Sequence, residues 1–294
     1  MRKIPALLFV CFLSFHALAQ SPADFNKIRS EADSLMDHTE YGRNKNAGKY
    51  YEVRGIKMYC EIYGEGEPLL IIHGNSGSIN NFVKQIPYFS KKYRVIIADS
   101  RAQGKTVDTK DSLSYEMMAD DYAALLTALH VDSANVIGWS DGGIEGLLLA
   151  IRHPEKVRKL AVTGANLRPD TSAVDPGIYN LAQAMFAGTK KSKDTSTQFR
   201  GQVKLFRLLV EEPHIPVSDL HKIGVPTLVM GGDQDVILVT HAVQIWQNIP
   251  RAYLWIFPNS GHSTPIVYAE EFNQKVDVFF RSPYRKLGGW DRIF

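Results

Sequence analysis

The residues Val136-Ile137-Gly138-Trp139-Ser140-Asp141-Gly142-Gly143 set a serine between spaced glycines. Small and β-branched residues from Ala134 lead into the stretch, and an apolar helical pattern continues from it to about His153. It therefore reads as a strand, a sharp turn centred on Ser140, and a helix. The glycines two before and two after Ser140 stand where a Cβ would collide with the neighbouring strand or helix. A Gly-x-Ser-x-Gly match is weak by itself, and a chance match in a loop would lack both flanking elements. Here the context makes it a nucleophile elbow, with the Ser140 hydroxyl raised above a sheet.

A serine hydroxyl is a poor nucleophile alone. An imidazole has to take its proton, and a carboxylate has to hold the imidazole in the right tautomer. The apolar, strand-like run Gly224–Gly232 leads into Asp233-Gln234-Asp235, where two carboxylates compete for that role. A second run, Ala252–Pro258, ends in Asn259-Ser260-Gly261-His262 before a helical stretch from about Ile266. His262 thus lies at the carboxyl end of a strand, where open α/β sheets gather their active sites.

Strands and helices alternate through the rest of the chain. Tyr50–Val53 and Ile56–Tyr63 around Gly55 read as a hairpin, followed by the strand Pro68–Ile72, a helix near Ile79–Phe89 and the strand Tyr93–Ala98. A helix near Tyr115–Leu129, the elbow and the strand Val157–Val162 continue the pattern, which predicts a doubly wound, mostly parallel sheet. Between about Asn166 and His221 the alternation stops, and Ile178–Phe186 and Phe199–Val210 read as helices. Their apolar residues Met185, Phe186, Phe206 and Leu209 either line a pocket or pack on the core.

From about Tyr51 to Phe280 these features, in this order, resemble the α/β-hydrolase family. The resemblance implies the α/β-hydrolase fold with a small helical cap. His73-Gly74-Asn75 follows the first parallel strand, and by resemblance the N–H of Asn75 is one oxyanion donor; the N–H of Asp141 is the other. Asp99-Ser100-Arg101-Ala102-Gln103-Gly104 is similar to the family's Asp-x-Arg-Gly-x-Gly turn, with Ala102 where a glycine is usual, and is read as supporting structure. The family acid usually follows a strand-ending glycine by three residues, which favours Asp235 over Asp233. Within the family the elbow resembles the valacyclovir-hydrolase-like group, in which the aspartate after the nucleophile is implicated in holding a substrate α-amino group. For Asp141 that role competes with capping the helix that begins at the elbow.

The chain has 294 residues, 45% of them hydrophobic, which is ample for one large core. Arg2-Lys3, an apolar run from about Ala6 to Phe15, and Ala17-Leu18-Ala19 before Gln20 predict a secretory signal peptide cut after Ala19. The run is too short for a stable membrane anchor. Losing Arg2 and Lys3 lowers the formal charge from +3 to +1, so no nucleic-acid partner is expected. Of the 2 cysteines, Cys11 leaves with the signal, and Cys60 is read as a buried small hydrophobe without a disulfide. The 9 histidines are scattered, and His-Glu-x-x-His, paired-cysteine and phosphate-loop patterns are missing, so neither metal nor cofactor is expected.

The expected organisation is a signal peptide over 1–19, a leader over 20–50, an α/β core over 51–165 and 222–280, a cap insertion over 166–221 and a tail over 281–294. Phe25, Ile28, Ala32 and Leu35 give the leader helical spacing, for a short packed helix or a mobile segment. The tail's aromatics would fold back on the body or mediate association. The functional expectation is an exported, periplasmic or secreted, carboxylesterase-like serine hydrolase acting on a small-molecule acyl substrate. Ser140 is the nucleophile, His262 the base, and Asp235 the orienting acid. A carbon–carbon bond hydrolase or perhydrolase on the same apparatus stays open, as does a binding protein that keeps the fold without turnover.

Overall fold

Eight strands form one sheet in the computed structural model, which describes residues 22–293. The expected signal peptide and its cleavage point lie outside the described residues. The chain starts with α1 (Pro22–His38), then the hairpin β1 (Gly48–Val53) and β2 (Ile56–Tyr63). There follow β3 (Glu67–Ile72), α2 (Ile86–Phe89), β4 (Tyr93–Ala98), α3 (Tyr115–Ala128), β5 (Ala134–Trp139), α4 (Asp141–Arg152) and β6 (Val157–Thr163). Helices α5 (Pro176–Thr189) and α6 (Thr197–Glu211) interrupt the alternation, which resumes with β7 (Thr227–Gly232), α7 (Val239–Asn248) and β8 (Ala252–Phe257). Helices α8 (Thr264–Val267) and α9 (Ala269–Arg281) close the body.

The strand order is β1-β2-β4-β3-β5-β6-β7-β8. β2 runs antiparallel to β1 and β4, and every other neighbour pair is parallel. The winding reverses between β3 and β5, so the loops leaving those two strands diverge and open a crevice above their carboxyl ends. Leu69-Leu70-Ile71-Ile72 and Val95-Ile96-Ile97 are wholly buried because helices cover both faces of the sheet. Leu70, Ile72 and Val136 pack with residues of α3, α4 and α7 on one face. Leu69, Ile71 and Ile137 pack with Phe82, Phe89, Phe272 and Val276 on the other.

Two sequence expectations need correction, and two details are added to the rest. The single helix near Ile79–Phe89 is a 3₁₀ turn, Ile79–Phe82, followed by the separate short α2. Pro87 has no N–H to continue a helix from the preceding turn, but it suits the first turn of a new one. In α1 the inward face is Ala32 with half-buried Ile28 and Met36, while Leu35 is 48% exposed. In α6 the packed residues are Leu205, Leu208 and Val210; Phe206 and Leu209 are only half-buried. Helix α7, which the pattern reading did not pick out, fills the interval between β7 and β8.

Cys60 is a free, buried thiol, and burial pushes its pKa up. In the tail, Trp290 and Ile293 are exposed. No helix among the described residues is long and apolar enough to cross a membrane.

Candidate active site

The elbow is tight because three chain segments meet there. Ser140 has φ 58° and ψ −122°, a left-handed backbone that a non-glycine residue adopts at a cost of about 1–3 kcal/mol. Its N–H is bonded to the Thr163 carbonyl at 2.9 Å, and its carbonyl accepts the Gly143 and Ile144 N–H groups that start α4. A Cβ on Gly138 would land on the Gly142 carbonyl, which explains that glycine without any appeal to chemistry. The turn therefore holds the hydroxyl outward while the backbone around it is pinned.

His262 reaches Ser140 from beyond β8, two strands past β6. Its Nε2 lies 2.9 Å from Ser140 Oγ, and its Nδ1 lies 2.7 Å from Asp235 Oδ1. With Nδ1–H donated to the carboxylate, Nε2 is left to accept the serine proton. Asp235 Oδ1 also accepts the Ile237 N–H at 3.0 Å, and only 1% of the Asp235 side chain is exposed. The imidazole crosses above the end of β6, where Gly164 has φ +65° and a Cβ would strike the ring. Trp139 steadies the same loop, its indole N–H donating to the His262 carbonyl at 2.8 Å.

The two competing carboxylates separate cleanly. Asp233 is exposed and accepts the Ser260 N–H at 3.0 Å, bracing the loop that carries His262. It does not meet the imidazole.

The end of β3 approaches the elbow closely: a Cβ on Gly74 would sit 3.0 Å from Ser140 Cβ. That brings the next backbone N–H, of Asn75, beside the hydroxyl. Among the described residues neither the Asn75 N–H nor the Asp141 N–H donates to a protein acceptor, so both are free to meet a negative oxygen. His73 is buried beneath them, with Nδ1–H donating to the Gly74 carbonyl at 2.8 Å and Nε2 accepting the Ser100 N–H at 2.9 Å. Burial lowers its pKa, and the neutral ring serves as a spacer between two loops.

Glu145 and Tyr115, not singled out in the sequence, join Asn75 and Asp141 around the elbow. Asn75 Nδ2 donates to Asp141 Oδ2 at 2.9 Å and to the Leu205 carbonyl of α6 at 3.2 Å, tying elbow to insertion. Asp141 is buried; burial pushes its pKa up to about 6, against the opposing pull of Asn75, Tyr115 and His262. One turn along α4, Glu145 is fully buried with neither oxygen partnered among the described residues, and burial holds its pKa well above the usual carboxylate range. The Tyr115 hydroxyl lies close by without closing a hydrogen bond of good geometry. A carboxyl four residues after Asp141 in an otherwise apolar helix was the available signal for this cluster.

The Asp99–Gly104 turn is scaffolding. Asp99 accepts the N–H groups of Ile79 at 2.9 Å and Lys105 at 2.7 Å, and Ala102 takes φ 63°, the conformation for which glycine is the usual choice. Arg101 is buried and forks onto Asp121 at 2.7 and 2.8 Å.

A family model described as the alpha/beta hydrolase fold matches residues 67–200. Serine hydrolase BPHL of Mus musculus is 27% identical over 248 residues, spanning 78% of this chain and 84% of that protein. The 2-hydroxymuconate semialdehyde hydrolase of Pseudomonas sp. (strain CF600) is 27% identical over 263 residues, spanning 79% and 93%. Among solved structures, the enol-lactonase from Burkholderia xenovorans LB400 superposes with a TM-score of 0.67 at 21% identity, covering 80% of this chain and all of that one, a likeness of fold.

Proposed function

We propose that this chain, which belongs to the α/β-hydrolase family, cleaves an ester or related acyl bond of a small molecule through an acyl-enzyme, in the manner of a carboxylesterase. The observation that carries the reading is the unbroken relay from Ser140 Oγ through His262 to Asp235, at 2.9 and 2.7 Å, starting from a strained serine. Ser140 Oγ attacks the carbonyl carbon as its proton passes to His262 Nε2. Asp235 stabilises the imidazolium that forms. The negative carbonyl oxygen is met by the Asn75 and Asp141 N–H groups, which are already oriented and need no reorganisation during the reaction. His262 gives its proton to the departing alcohol, leaving Ser140 acylated. A water molecule, deprotonated by His262, then attacks the acyl carbon; the acid leaves, and the proton returns to Ser140.

A carbon–carbon bond is the second reading, favoured by the relative named as a 2-hydroxymuconate semialdehyde hydrolase. The place of action in this proposal is outside the cytoplasm, supported by the signal-like residues Arg2 to Ala19.

One preparation tests both parts. Protein recovered after export is expected to begin at Gln20, to react with a fluorophosphonate at Ser140, and to hydrolyse p-nitrophenyl acetate. Ser140→Ala should remove the labelling and lower turnover by at least about 10³-fold while the fold persists. Residual activity within about tenfold of the parent would take Ser140 out of the mechanism, and an intact residue 1 on the exported chain would remove the signal.

A further inference from the structure

Beside the oxyanion loop a cleft of about 630 Å³ opens between the first half of α6 and the loops at 76–77 and 102–109. Ser76, which follows the oxyanion donor Asn75, and Leu205, whose carbonyl accepts from Asn75 Nδ2, both line it. The cleft thus borders the oxyanion loop, while Ser140, His262, Asn75 and Asp141 stand outside its lining.

Its wall is mixed: Ala102, the exposed Val107 and Leu205 give it an apolar part, and the rest is polar without a free charge. Thr109, Thr197, Gln198 and Gln202 are exposed along it, and among the described residues none of their side chains bonds to protein. Gln103, also in the wall, is 4% exposed, and among the described residues both its carboxamide atoms are buried without a partner. Asp108 is the one lining residue that ionises, and it is already neutralised: Lys204 Nζ sits 2.9 Å from Oδ2 and Arg101 Nη1 3.4 Å from Oδ1.

We infer that this cleft is a subsite for an uncharged, hydroxyl-rich part of the substrate, remote from the carbonyl that Ser140 attacks; the inference rests on the acyl-transfer reading above. An alkyl chain in the cleft would strip water from the two glutamines and two threonines and return no hydrogen bonds. An ionised group would enter without a counter-charge, since Asp108 is saturated. A polyol offers hydroxyls to the amides and hydroxyls of the wall and C–H faces to Val107 and Leu205, which suits a mixed lining. The volume is within the range of small-molecule sites.

The test compares esters matched in size and varied on either side of the bond. Glycerol monoacetate is set against butyl acetate and acetylcholine, and methyl gluconate against methyl hexanoate, with p-nitrophenyl acetate as reference. The expected result is that at least one hydroxylated ester exceeds its alkyl and cationic counterparts about tenfold in kcat/KM. The double variant Gln198→Leu with Gln202→Leu, both exposed positions, should lose most of that preference, its folding checked by circular dichroism. Preference for the alkyl or cationic member, or a preference the double variant leaves intact, overturns the subsite. If every ester including p-nitrophenyl acetate is inert, the hydrolase reading fails instead. The subsite is then judged by saturation-transfer NMR with glycerol and methyl glucoside on the Ser140→Ala protein: binding lost in the double variant upholds it, and no binding overturns it.

Discussion

Asp233 and Asp235 are two residues apart, and their neighbours give them different work. Asp235 is buried and shared between the imidazole and a backbone N–H, so its charge acts on His262 in a medium that screens little. Asp233 holds the Ser260 N–H from an exposed position. Asp235→Asn should lower kcat by about 10³- to 10⁴-fold, because the amide no longer selects the tautomer or stabilises the imidazolium. Asp233→Asn should cost less than about tenfold. Steady-state kinetics on the two variants checks the contrast, and the reverse order would move the acid to Asp233. The spacing of Asp235 after Gly232 favoured this residue in the sequence. The bond to Asp233 depends on a loop that β7–β8 pairing brings alongside, and no local pattern announces such a partner.

Helix α6 shows how an element is held by more than its apolar face. Leu205 and Leu208 pack inward, yet the same face carries Lys204, 6% exposed, which bonds Asp108 Oδ2 at 2.9 Å and the Lys110 carbonyl at 2.6 Å. Lys204→Met keeps the stem's packing and removes the charge, leaving Asp108 with Arg101 at 3.4 Å and the Lys110 N–H at 3.2 Å. Breaking a buried pair from one side should lower stability by about 3 kcal/mol. The Leu205 carbonyl, which accepts from Asn75, lies on the next residue, so KM for small esters should rise more than kcat falls. Urea denaturation and kinetics on the variant check this; unchanged stability would show that the ion pair contributes nothing to docking α6. A lysine in a helix normally reads as solvated surface, so periodicity marks α6 as a helix and misses its anchor.

At the scale of the molecule, the buried acids below the elbow couple folding to pH. The Asp141 carboxyl keeps its proton up to about pH 6 in the folded chain and releases it near 3.8 when unfolded. Between those values the folded state holds more protons, so this group's contribution to stability falls as pH rises through the window and is fully lost above about 6. The loss amounts to about 3 kcal/mol. His73 and His241, the latter lowered to about 4 by burial, slope the opposite way, since the unfolded chain binds their protons first. Asp141→Asn leaves both histidines in place, so the difference between the two stability curves reports Asp141 together with its effect on the neighbouring Glu145. That difference should grow in the variant's favour from pH 4 to pH 7, read from urea midpoints, and a constant offset would place the Asp141 titration elsewhere.

The sequence by itself determined the alternating elements, the elbow and the places of Ser140 and His262 along the chain, and it left Asp233 and Asp235 as competing acids, with the family resemblance favouring Asp235. Those depend on short-range rules: Gly138 and Gly142 around a serine, apolar runs of strand length, and a histidine just past a strand. It missed the break at Pro87, because the periodicity of Ile79–Phe89 runs through a residue that cannot continue a helix. Only the tertiary structure decided which carboxylate meets the imidazole. It also decided that Gly164 must be bare beneath the His262 ring, that Asn75 ties the elbow to α6, and that Asp141 and Glu145 share one buried pocket. The burial and contacts behind these come from segments far apart in the chain, which meet only once the strands are laid side by side in the order β3-β5-β6-β7-β8.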